Sequence, residues 1–171
     1  MTSDTIVNKV EASGLITIDL ETFLDPHPIV SFDLKDCLYQ GLILKEKEFR
    51  TFLKEHNWQQ YANTNVAIEC SADAIIPNWA YMLLITNLYK VANYVQVGTK
   101  EELINSLLVA KFNQMEFGQY LNAKVVIKGC SNKQLTSFAY AEITRRLLPF
   151  SASIMFGEPC STVPVFKKTK F

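Results

Sequence analysis

Cys70, Cys130 and Cys160 are the residues whose type and placement point most directly to chemistry. Cys70 closes the apolar run Val66-Ala67-Ile68-Glu69, and Cys130 closes Val125-Val126-Ile127-Lys128-Gly129; a serine follows each. Cys160 stands shortly after a third run that ends at Gly157. If these runs are strands of one open α/β sheet, the thiols collect beyond their carboxyl ends, where such sheets bind ligands. Three chemistries are open to them. Free cysteine is often a small buried hydrophobe. Thiolates also hold soft metals, so zinc or an iron–sulfur cluster is the cofactor that this set would carry. Lastly, a thiol ahead of a helix N-terminus gains thiolate character from the helix dipole and can act as a nucleophile. That role also needs a base. The two histidines are His27, between prolines, and His56, at a charged helix end where it reads as a solvated cation. No CxxC pair is present, so zinc-ribbon and redox spacings are absent.

Asp73 and Glu158 fall at the same expected margin, either as an acid/base or ligand pair or as turn and capping residues. Ser71, Ser131, Asn132, Ser161 and Thr162 add polar groups there. Arg145-Arg146 reads as an anion contact or a solvated helix face, and Tyr81 and Tyr140 as packing against the sheet. The phosphate-loop, dinucleotide, HExxH and GxSxG patterns do not occur.

The elements that must position these groups show an internal repeat. A shift of 59 residues superimposes Gln60 on Gln119, Tyr61 on Tyr120, Asn63 on Asn122, Val66 on Val125 and Ile68 on Ile127. It continues through Ala80/Ala139, Tyr81/Tyr140, Leu88/Leu147 and Gly98/Gly157, nine identities in 39 residues without a gap. Each copy reads as strand, Cys-containing turn, helix, strand. The first has strands at 66–69 and 94–97 with a helix after Pro77; the second has strands at 124–128 and 153–156 with a helix over 136–148. Strand–helix–strand units of this length imply parallel pairing. The predicted fold is therefore a single α/β domain with an internally duplicated βαβ core and a mainly parallel sheet with helices on its faces. Residues 1–57 supply N-terminal strands and a helix, 58–98 and 117–157 the two repeats, and 158–171 a C-terminal turn and tail.

Outside the repeats, 4–13 reads as a short helix ended by Gly14, 15–20 and 29–34 as strands, and 25–28 as a turn. Residues 37–44 are apolar but ambiguous. The stretches 45–57 and 100–112 have helical spacing, and Val165-Phe166 could add an edge strand. Gly129 suggests a local kink.

Composition bounds the partners. Seventeen basic residues balance 17 acidic ones, which argues against a general nucleic-acid or anionic-membrane surface. The longest apolar stretch, 79–97, is interrupted by Asn87, Lys90 and Asn93, a poor bilayer span. The stretch MTSDTIVNKVEASG has no basic region ahead of an apolar one, so a cytoplasmic protein with free thiols is expected.

The stretches IVNKVEASGLITIDLETF, FDLKDCLYQGLILKEKEFR, CSADAIIPNWAYML, VVIKGCS and SIMFGEPCSTVPVFK together resemble an uncharacterised bacterial family, the domain of unknown function numbered 2480. The resemblance covers nearly the whole chain and transfers no catalytic residue, because the family carries no established activity. It implies a gene set beside sulfur-mobilisation genes for iron–sulfur cluster assembly. The expected function is therefore that of an accessory protein in iron–sulfur assembly or sulfur and metal handling, with Cys70, Cys130 and Cys160 as ligands or thiol carriers and sulfur-mobilisation proteins as partners. The alternatives are a small-molecule enzyme using Asp73 or Glu158, or a non-catalytic module that assembles as a homodimer.

Overall fold

The computed structural model describes residues 14–129 and 132–169. The expected helix over 4–13 and the step Cys130-Ser131 lie outside these residues. Seven strands and four helices are described: β1 (Leu15–Asp19), β2 (Ile29–Asp33), α1 (Glu46–Glu55), β3 (Asn65–Glu69), α2 (Asn78–Leu88), β4 (Tyr94–Val97), α3 (Lys100–Asn113), β5 (Lys124–Lys128), α4 (Ser137–Leu147), β6 (Ser153–Glu158) and β7 (Ser161–Lys167). The fold is α/β and mainly parallel, as expected. Its strands form two sheets rather than one, in the orders β2-β3-β4 and β1-β5-β6-β7. Every pairing is parallel except β6 with β7. No helix among the described residues is long and apolar enough to cross a membrane.

The chain divides into two compact units. One is continuous, Asp25–Ser106. The other is split, with residues up to 24 and from 107 onward.

In the continuous unit, β3 is buried along its length because it is the middle strand. Val66 and Ile68 pack with Phe32 and Leu34 of the β2 segment, Phe49 and Leu53 of α1, and Ala80, Leu84 and Leu88 of α2. The last three recur every four residues, which makes a single inward stripe. Each fully buried aliphatic side chain of this kind contributes about 1.5–3 kcal/mol. In the split unit the same logic places Val125 and Ile127 of β5 and Ile154 of β6 at zero to 3% exposure. Ala139, Ile143 and Leu147 of α4, fully buried and again four apart, are its inward stripe.

Two pairs of residues 59 apart, Gly98/Gly157 at φ of 129° and 116° and Asn63/Asn122, share a backbone reason for their identity. Asn63 and Asn122 precede β3 and β5 at φ of 57° and 58°, a left-handed conformation that asparagine tolerates better than most residues. A third correspondence has a different offset. Asp19 and Asp33 each end a strand, accept a hydrogen bond from the backbone N–H two residues on, and precede a fully buried leucine, Leu20 or Leu34.

Gly129 takes φ +128° immediately after β5. A Cβ there would stand 2.7 Å from Leu135 Cδ1 and 3.2 Å from Leu20 Cβ. Gly129→Ala must strain the backbone, displace the half-buried Leu135 and crowd the fully buried Leu20 together. The expected loss is about 2–4 kcal/mol, read as a lowered denaturant midpoint. An unchanged midpoint would mean that the β5 terminus relaxes freely.

Candidate functional site

At the carboxyl edge of β2-β3-β4 the dominant polar group is Asp33. Its carboxylate accepts from Lys35 N at 3.0 Å, Ser71 N at 3.0 Å and Ser71 Oγ at 2.6 Å, and pairs with Lys35 Nζ at 3.2 Å. Burial alone would raise its pKa. The bonds from Ser71 and Lys35 outweigh that effect and hold the carboxyl well below the usual carboxylate range. The serine of the first Cys-Ser step therefore ties the loop after β3 to the end of β2.

Cys70 itself is half-buried, with its thiol directed to Ala72 O at 3.6 Å. The helix α2 begins only at Asn78, with Pro77 as its cap residue, so residues 71–77 separate this thiol from the helix dipole. Asp73 lies exposed in that loop.

Cys160 is exposed in the turn that joins β6 to β7, and Glu158 is exposed beside it at the end of β6. Cys70 and Asp73 thus belong to the continuous unit and Cys160 and Glu158 to the split one. Among the described residues no group of three or more His, Cys, Asp or Glu side chains is arranged to hold a metal ion.

The remaining described thiol, Cys37, follows β2. Burial, reinforced by the charges of Asp36 and Asp33, pushes it up to about 11, so it stays protonated and unreactive at neutral pH. His56 is not the solvated cation expected from its place at the end of α1. Its ring lies 4.7 Å from both Phe52 and Trp58 and 5.8 Å from Phe32, and burial lowers its pKa.

A groove of about 690 Å³ lies in the split unit, between α4 and the β6–β7 hairpin. Its origin is topological. β7 adds a fourth strand beyond β6, while α4 commits Ala139, Ile143 and Leu147 to the core. The neighbouring stripe of the helix, Tyr140, Ala141, Thr144 and Leu148, is left overlooking Ile127, Phe156 and Val165, with Leu135 and Asn132 at one end. Tyr140 meets Phe156 edge-on, with centroids 5.5 Å apart and planes at 84°, as expected of a tyrosine packed on the sheet.

Arg145 lines this groove and is anchored by Glu142, donating from Nε at 2.9 Å and Nη2 at 2.7 Å. Arg146 Nε donates to the same carboxylate at 2.7 Å. The Arg145 bonds, working against burial and joined by those of Arg146, hold Glu142 at about 2. Two guanidinium groups share one carboxylate, so the cluster carries a net positive charge. This makes the carboxylate a structural anion rather than a proton carrier at neutral pH. Sequence reasoning did not find the groove. The available signal was the apolar run Ser161–Lys167, a strand that pairs beyond the second βαβ unit.

The architecture is that of an α/β protein with two mostly parallel sheets. The chain belongs to the family described as "Protein of unknown function (DUF2480)", which matches residues 4–168. No curated protein and no solved structure matches it significantly.

Proposed function

We propose that the protein is a binding module for a small, mainly apolar molecule that carries an acidic group, held in the groove between α4 and the β6–β7 hairpin. One observation carries this reading: a ligand-sized concavity with an apolar floor and a charged side chain at its rim. Its volume falls within the roughly 300–1,000 Å³ of small-molecule sites, which are mostly apolar with a few placed polar groups. Ile127, Leu135, Leu148, Phe156 and Val165 supply the floor. Ser137 and Thr144 supply hydroxyls, and Arg145 with Arg146 supplies the excess positive charge that selects an anion.

Anilinonaphthalene sulfonate, an apolar anion, is a suitable probe. Its emission should rise saturably at one site per chain. Ala141 is exposed on the groove wall, so Ala141→Trp can fill the space without disturbing the core. The variant should lose at least about 90% of the emission at the same thermal midpoint, since the new side chain occupies the probe's volume. Full emission from a folded Ala141→Trp protein would refute the reading.

A thiol role is the second reading, favoured by one fact of placement: Asn132, two positions after Cys130, lines the groove. In that form the groove binds the apolar part of a substrate, and sulfur chemistry or iron–sulfur handling is supplied at Cys130, with Cys70 and Cys160 as further thiols. Cys130→Ser would then abolish function and leave probe binding intact.

A further inference from the structure

We infer that a second hollow, beside β2 in the continuous unit, is a site for a small organic cation of the methylated-ammonium class. The hollow measures about 180 Å³ and is lined by the rings of Phe32, Phe52, His56 and Tyr61 and by the side chains of Asp33 and Asp36. This is below the usual volume of a drug-sized site, so the occupant is compact.

The walls combine two features that cations select. The first is aromatic. Phe32 lies 6.1 Å from Phe52, 5.8 Å from His56 and 6.2 Å from Tyr61, and His56 lies 5.8 Å from Tyr61, forming one continuous cluster of rings. Ring quadrupoles attract ammonium groups, and more strongly where water is excluded.

The second feature is charge. Asp33 and Asp36 come from the β2 end and the turn after it, against Lys35, which pairs with Asp33. From α1 comes His56, which burial keeps toward its neutral form, and from the turn before β3 comes Tyr61, whose phenol burial pushes up and so keeps protonated. The hollow therefore keeps one negative charge in excess. Cys37, which also lines it, has its thiol raised by burial first and by the charges of Asp36 and Asp33 after that.

The chemistry also separates organic from inorganic cations. Calcium or magnesium needs six or more oxygens with lone pairs to give. The Asp33 carboxylate already serves Ser71 and Lys35. A methylated ammonium needs only the field and the ring surfaces.

The test is a titration of the full-length protein with tetramethylammonium chloride, followed by saturation transfer to the ligand methyls and by the indole proton of Trp58, which stacks on Phe32 at 6.1 Å. Sodium chloride controls for ionic strength, and tert-butanol serves as a neutral molecule of similar shape. Saturable binding in roughly the millimolar range is expected, about tenfold weaker for tert-butanol. Asp36→Asn, at an exposed position, and Phe52→Leu should each weaken it by about fivefold or more. Equal binding of tert-butanol, no saturable binding, or unchanged affinity in both folded variants would each overturn the assignment. Probe binding in the split-unit groove is measured separately, so failure here leaves that proposal standing.

Discussion

Replacing Asp33 by alanine is expected to destabilise the continuous unit by about 2–4 kcal/mol at neutral pH. The estimate follows from what the carboxylate holds. It caps the helical turn at Leu34–Cys37 through Lys35 N, and it receives both the backbone N–H and the hydroxyl of Ser71. Removing it frees the loop after β3 from the end of β2. The Lys35 contact adds little, because that side chain is half exposed.

The pH dependence has a definite sign. The carboxyl's folded pKa lies below the ordinary value of 3.8, so the folded state binds fewer protons than the unfolded one through the acid range. The stabilisation is fully present above about pH 4–5, starts to fall as pH drops below the ordinary carboxylate value, and is gone only once pH has passed the depressed folded pKa. The gap between native protein and Asp33→Ala should thus be widest at pH 7 and narrow below pH 4. Denaturant midpoints at several pH values measure it. A gap that stays constant down to the lowest pH would show that ionisation of Asp33 is not what holds the loop.

The second large effect is expected at the opposite edge of the same sheet. Asn65 begins β3 and is fully buried. Its Nδ2 donates to Asp25 Oδ1 at 2.8 Å and its Oδ1 accepts from Asn93 Nδ2 at 2.8 Å. Asp25 Oδ1 also receives His27 N at 3.0 Å and contacts His27 Nδ1 at 2.8 Å. One amide thereby joins the segments that lead into β2, β3 and β4. Asn65→Leu keeps the volume but takes one donor from the part-buried Asp25 carboxylate and leaves the Asn93 amide without its acceptor. Such unmade bonds cost more than the net value of the bonds themselves. The expected loss is about 2–4 kcal/mol, larger than for Asn93→Ala, which leaves Asp25 and His27 connected to Asn65. A near-neutral Asn65→Leu would mean that water replaces the amide without penalty.

Much of the element order was legible from periodicity. The runs at 66–69, 94–97, 124–128 and 153–156 are strands because they combine β-branched residues with breakers at their ends, and helices lie after Pro77 and within 136–148 as expected. Parallel pairing followed from the length of the crossovers. What periodicity could not convey was which strands share a sheet. β1 and β2 carry near-matching sequences, Ile16-Thr17-Ile18-Asp19-Leu20 and Val30-Ser31-Phe32-Asp33-Leu34, and each serves a different sheet. This likeness at an offset of 14 relates one strand of each sheet and aligns Asp19 with Asp33.

The site was less legible. Cysteine spacing directed attention to thiols. Of the described pair, Cys70 lies in the loop before α2 and Cys160 on a hairpin turn of the other unit. Ser71, in sequence only a polar neighbour of Cys70, ties the loop after β3 to Asp33 at the end of β2. The groove depends on α4 leaving one flank uncommitted over β6 and β7, a relation between elements that no single stretch encodes.

The central claim is that the split unit binds a small apolar acid between α4 and the β6–β7 hairpin. Amide chemical-shift mapping of the native protein on addition of anilinonaphthalene sulfonate tests it most directly. The account predicts saturable shifts concentrated at residues 132–148 and 154–166. Shifts confined to residues 25–106, or none at all at saturating probe, would contradict it.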